Sequence, residues 1–252
     1  MRRLVGILAA LWAAPAGGET LVTSLSSHQV RITSNYTGAQ VVLFGAVERD
    51  AQSVARSGDY DVVVTVRGPR QAVTVREKEP LGPIWINREQ QRFAEVPSYL
   101  GVFSSKPVAA VTTEALRRRF RIGIEAIVGA PEAAGEGGEG GDPFREALVR
   151  LKTRERLFVE EPRGVAFLTP TLFRAPIDVP ATAPPGPYEV EVALFWGSVL
   201  LARTQTHFEL LKTGFEQQVG DLARDWSILY GGATGLFALL FGWIASVIFR
   251  RD

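Results

Sequence analysis

The sequence predicts a mainly β protein: two immunoglobulin-like β-sandwich modules, a helical hairpin inserted between them, and a C-terminal transmembrane helix. Three observations predict it. Runs of Val, Thr, Tyr and Phe alternate with period two and are punctuated by Gly and Pro, which are strand signals. The period turns helical between residues 113 and 156. Near the C-terminus an uncharged stretch is long enough, at ~1.5 Å per residue, to cross a ~30 Å hydrocarbon layer.

Composition excludes other classes. The chain has 252 residues, of which 46% are apolar, too many for disorder throughout. Its 28 Lys and Arg nearly balance 27 Asp and Glu, so no electrostatic case exists for nucleic acid. It has no cysteine, hence no disulfide, thiolate metal site or thiol nucleophile.

Residues 1–16 read as a signal peptide. Met1-Arg2-Arg3 is its positive region, Leu4 to Ala14 its apolar core, and Ala14 and Ala16 fit the small-x-small rule, placing cleavage at Ala16. Residues 17–112 form the first β module. Its strands are expected at Leu21 to Leu25, Gln29 to Thr33, Ala39 to Val47, Gly58 to Val66, Ala72 to Glu77, Pro83 to Asn87 and Val96 to Ser104. The polar run Arg88 to Arg92 is expected to interrupt them.

The insert spans 113–156. Leu116, Phe120, Ile124 and Ile127 share one helical face, and Gly129-Ala-Pro131 stops that helix. Asp142 followed by Pro143 is an N-cap signal for a second helix with Phe144, Leu148 and Leu151 on its apolar face. The Gly/Ala/Glu connector 132–141 reads as a mobile loop.

The second β module spans 157–212. Strands are expected at Gly164 to Leu168, Thr171 to Ile177, Tyr188 to Trp196 and Val199 to Leu210, with Pro176 to Pro187 too proline-rich for a central strand. Gly58-Asp59-Tyr60-Asp61-Val62-Val63-Val64 and Gly186-Pro187-Tyr188-Glu189-Val190-Glu191-Val192 share the pattern Gly-x-Tyr-acid-Val-x-Val. In immunoglobulin-like sandwiches a tyrosine in this context hydrogen-bonds back to the preceding loop. Whether the halves are separate sandwiches or one interleaved body stays open.

Phe215, Val219, Leu222 and Trp226 form an apolar stripe that makes 213–226 a juxtamembrane amphipathic helix. The transmembrane helix is expected at 227–249, with a cytoplasmic tail at 250–252. Trp226 and Tyr230 suit the outer membrane interface, and Arg250 and Arg251 favour the cytoplasmic side. Gly231, Gly235, Ala238, Gly242 and Ala245 fall on one helix face, where small residues let two backbones approach. The expected partners are the bilayer and, through that face, another integral membrane protein or a second copy.

Other candidate sites are weaker. His28 and His207 carry no accompanying nucleophile motif and read as strand or turn residues. Glu132, Glu136, Glu139 and Asp142 lack calcium-loop spacing. Arg117-Arg118-Arg119 reads as a wet helix face, with Glu114 and Arg118 paired at i,i+4. Trp85, Tyr99 and Phe103 read as core packing or as the wall of a ligand cleft. No catalytic, cofactor or metal residues are assigned.

The chain resembles a family of alphaproteobacterial transmembrane proteins of unknown function. The motifs are Gly-Pro-Ile-Trp-Ile-Asn at 82–87, Val-Pro-Ser-Tyr at 96–99, Leu-Phe-Arg-Ala-Pro-Ile at 172–177, Pro-Pro-Gly-Pro-Tyr-Glu-Val at 184–190, Lys-Thr-Gly-Phe-Glu at 212–216 and Phe-Arg-Arg at 249–251. The resemblance implies no activity and no functional residue. The expectation is a non-enzymatic, single-pass protein of the bacterial inner membrane, its bulk in the periplasm, acting as an accessory or assembly subunit of a membrane complex, a transporter included. The alternatives are a periplasmic solute-binding module with a pocket near Trp85, and an exported hydrolase.

Overall fold

The computed structural model describes residues 19–32, 38–48, 59–128, 142–212 and 223–248. The expected signal peptide, the loop 132–141, Phe215, Val219 and Leu222, and Arg250 and Arg251 lie outside the described residues.

Strands dominate because the period-two runs find partners. The first sheet holds β1 (Thr20–Leu25), β3 (Gly38–Glu48), β10 (Leu172–Pro180) and β9 (Ala166–Phe167), in the order β1-β3-β10-β9. The second runs β2-β12-β11-β4-β7-β8, from β2 (Gln29–Ile32), β12 (Val199–Lys212), β11 (Gly186–Trp196), β4 (Asp61–Arg67), β7 (Leu100–Ser104) and β8 (Phe158–Pro162). Among the described residues, β5 (Arg70–Leu81) and β6 (Ile84–Pro97) pair only with each other.

The two halves of the chain share both sheets. β3 pairs antiparallel with β10, aligning Val41 with Ile177, and β4 pairs antiparallel with β11, aligning Val64 with Val192. The halves therefore form one interleaved body, the second of the two arrangements the sequence leaves open. Leu43, Phe173 and Ile177 of the first sheet and Val64, Val192, Tyr188 and Phe208 of the second belong to one buried cluster. Its source is burial of apolar surface, worth about 25 cal/mol per Å². β4 is buried at every position from Asp61 to Val66, as a strand flanked by β11 and β7 and covered on both faces must be.

Two strand expectations change. β10 runs through Pro176 to Pro180. β9 covers β10 only at Phe173 and Arg174, so Pro176 sits where one side of β10 carries no ladder and a missing N–H costs nothing. β6 runs unbroken through Arg88 to Arg92, because that part of the hairpin is not buried and polar side chains remain in water.

The first expected helix is broken. α2 (Glu114–Phe120) and α3 (Ile124–Ile127) replace it, since Arg121 ends α2 at φ 53° and Gly123 lies at φ 91°, and a short α1 (Val108–Val111) precedes both. α4 (Pro143–Arg154) forms as expected. The Asp142 side chain accepts the Phe144 N–H at 3.0 Å, and Leu148 is buried.

The largest correction concerns the C-terminus. Among the described residues no helix is long and apolar enough to cross a membrane, so the transmembrane helix expected at 227–249 is withdrawn. α5 spans Ser227–Ile248.

Candidate functional site

A cleft of about 820 Å³ opens among the described residues. The register builds it from distant segments. β4 brings Arg67 to its end, β11 presents Glu189 and Glu191, β12 presents Arg203 and Gln205, and the end of α2 brings Arg119, Phe120 and Arg121. Period two puts Glu189 and Glu191 on one face of β11.

Glu191 is the cleft's electrostatic centre. Its side chain is 5% exposed, and Arg67 Nη1 donates to its Oε2 at 2.7 Å. Arg203 pairs with its other oxygen. One carboxylate thus faces two guanidiniums, an arrangement that keeps a buried charge paired and leaves local positive excess. Arg67 also donates to the Arg121 carbonyl at 3.5 Å. At the rim, Arg70 pairs with Glu95 at 2.6 Å in the open, and the Arg119 guanidinium lies 5.6 Å from the centre of the Phe120 ring. Chemically this wall suits an acidic group on a solute or a partner surface.

Sequence reasoning missed this cleft. Arg67 and Glu191 stand 124 residues apart, and only the β4–β11 pairing unites them.

Of Trp85, Tyr99 and Phe103, read as core packing or as a cleft wall, two take the core and one does not. Trp85 is 69% exposed near the tip of the β5–β6 hairpin, whereas Tyr99 and Phe103 are buried. The Tyr99 hydroxyl donates to the Asp178 carbonyl at 2.9 Å, linking the two sheets. Burial pushes its phenol well above the usual tyrosine value, with Tyr188, Asp178 and Glu161 adding to the effect.

The other expected residues fall into place as follows. His28 precedes β2 and is exposed, and its carbonyl accepts the Glu209 N–H at 2.8 Å. His207 is exposed on β12, in register with Glu189. Arg118 pairs with Glu114 as the spacing predicts. Asp142 caps α4, and among the described residues no three His, Asp or Glu side chains gather as a metal site.

On α5, Gly231, Gly235, Ala238, Gly242 and Ala245 are all exposed. A Cβ built on Gly231, Gly235 or Gly242 meets nothing within 4 Å. Trp226 and Tyr230 are exposed at the start of this helix, as are Leu239 at 77% and Phe241 at 65% further along.

A family model described as "Putative transmembrane protein (Alph_Pro_TM)" matches residues 20–251. No curated protein and no solved structure matches the chain.

Proposed function

The chain belongs to the Alph_Pro_TM family of transmembrane proteins, and from that premise we propose that it is a non-enzymatic accessory or assembly subunit of a membrane complex. On this reading it is held at the bacterial inner membrane with its β body in the periplasm. The observation that carries the proposal is the exposure of α5. Ile228, Leu239, Trp243 and Ile248 are all more than two-thirds exposed along that helix. A helix apolar on all sides is stable only when something apolar covers it. The covering material on this reading is a partner helix of the complex, seated on the small-residue face.

The test is purification of tagged full-length protein in a gentle detergent, with mass spectrometry of what accompanies it. A stoichiometric membrane protein is the expected result. It should be lost from a Gly235→Leu, Gly242→Leu variant whose far-ultraviolet circular dichroism is unchanged. A lone protein, or co-purification unaffected by the two leucines, would overturn the proposal.

A second reading, a solute-binding module, draws support from the cleft rather than from Trp85. Its volume falls within the ~300–1,000 Å³ of small-molecule sites, and its excess of guanidinium favours an anionic solute. Binding of small dicarboxylates or inorganic anions, followed by calorimetry and abolished in Arg203→Ala, would support this reading over the first.

A further inference from the structure

We propose that the tip of the β5–β6 hairpin dips into the lipid headgroup region of the membrane, a contact made outside α5. This rests on the membrane placement proposed above, which supplies the bilayer.

The hairpin projects. Val75 and Phe93 are buried at its base, and no residue from 76 to 90 is buried. Leu81 lies six positions beyond Val75, a reach of about 20 Å at ~3.3 Å per residue. The turn is tight. Leu81 pairs with Ile84, leaving Gly82 and Pro83 as a two-residue loop. Gly82 has φ 62° and Pro83 fixes a negative φ, the combination of a type II′ hairpin turn.

The tip's composition is wrong for water. From Pro80 to Asn87 no residue carries a charge. An exposed hairpin normally alternates apolar with polar side chains. Here Leu81 and Ile84 form one cross-strand pair and Pro80 and Trp85 the next, and consecutive pairs point to opposite faces. Both faces of the tip are therefore apolar. Leu81, Ile84 and Trp85 are 61%, 58% and 69% exposed.

Three features select a lipid surface over a protein. The tip is convex and made of a few side chains, far below the ~800 Å² per partner of a standard protein interface. A bilayer needs no matching shape. Trp85 has the amphipathic ring that favours the membrane interface. Immediately behind the apolar tip, Arg88 pairs with Glu79 at 2.6 Å. That pair sits where headgroups begin and carries no net charge, so the contact requires no anionic lipid.

The absence of cysteine makes the test direct. An Ile84→Cys variant of the full chain carries one environment-sensitive fluorophore at the tip, and a Gln90→Cys variant carries it on the same hairpin further back. Both are placed in phosphatidylcholine–phosphatidylethanolamine vesicles, and flotation of the same samples reports membrane association. The expected result is a blue-shifted label at 84, quenched several-fold more than the label at 90 by a nitroxide near the headgroups, and insensitive to salt. Floated protein whose two labels are equally open to aqueous iodide would overturn this inference alone. Failure to float would overturn both it and the membrane placement. Protection of the label at 84 only when other membrane proteins are added would assign the tip to a protein partner and overturn the lipid contact.

Discussion

The Tyr188 hydroxyl donates to the Pro184 carbonyl four residues upstream at 2.7 Å, closing a tyrosine corner at the entrance to β11. The ring is fully buried, stacked 5.0 Å from Phe208 and tilted 5.9 Å from Tyr99. Tyr188→Phe keeps the ring and removes the donor. It should cost about 1–2 kcal/mol, seen as a lower denaturation midpoint with an unchanged slope. A neutral outcome would show that the corner is held by packing alone.

Glu191 and its two arginines should respond unequally. Glu191→Ala leaves Arg67, 17% exposed, facing Arg203 without a carboxylate. Removing one member of a well-buried pair costs ~3–5 kcal/mol, and partial exposure brings the expectation to about 2. Arg203 is over a third exposed, so Arg203→Ala should cost less than ~1 kcal/mol. Equal effects in urea unfolding would contradict the assignment of Glu191 as the centre of the network.

Gly45 lies opposite Phe173 in the β3–β10 register, and a Cβ there would fall 2.1 Å from the tip of the Phe173 ring. The ring is fully buried and has little room to move. Gly45→Ala should destabilise by about 1–3 kcal/mol, the usual cost of overpacking. Adding Phe173→Leu should recover part of that loss, a coupling that a double-mutant cycle measures. Simple additivity would place the ring elsewhere.

Tyr99 predicts an alkaline limit. Its folded-state pKa is raised above the ordinary value of about 10, chiefly by burial. The unfolded state therefore ionises first, and the stability tied to neutral Tyr99 is full below pH ~10 and lost as pH climbs above it. Unfolding free energy should fall with pH in that window, and Tyr99→Phe should flatten the fall. A parallel decline in the variant would assign the effect to other groups.

The fold was partly legible in the sequence. The tyrosine corner could be read because donor and acceptor sit in one short turn, and α4 because Asp142 and Pro143 are adjacent to the helix they start. The strand runs could be read because alternation is local. The cleft could not: Glu191 looks like any acidic residue on an alternating strand until β4 and β12 flank it. Trp85 was not legible for the same reason, since an aromatic residue in a strand reads as core packing or as a cleft wall until its neighbours are known.

By itself, then, the sequence determined the elements whose physics is short-range: alternating strands, the helix cap, the corner and the apolar character of residues 227–248. Tertiary structure decided what joins what. Pairing of β3 with β10 and of β4 with β11 interleaved the halves into one core. Pairing of β5 with β6 alone, among the described residues, left their tip in the open. The physical reason is that a strand's own residues specify which face is apolar, whereas the neighbour that covers that face is chosen by contacts between segments more than a hundred residues apart.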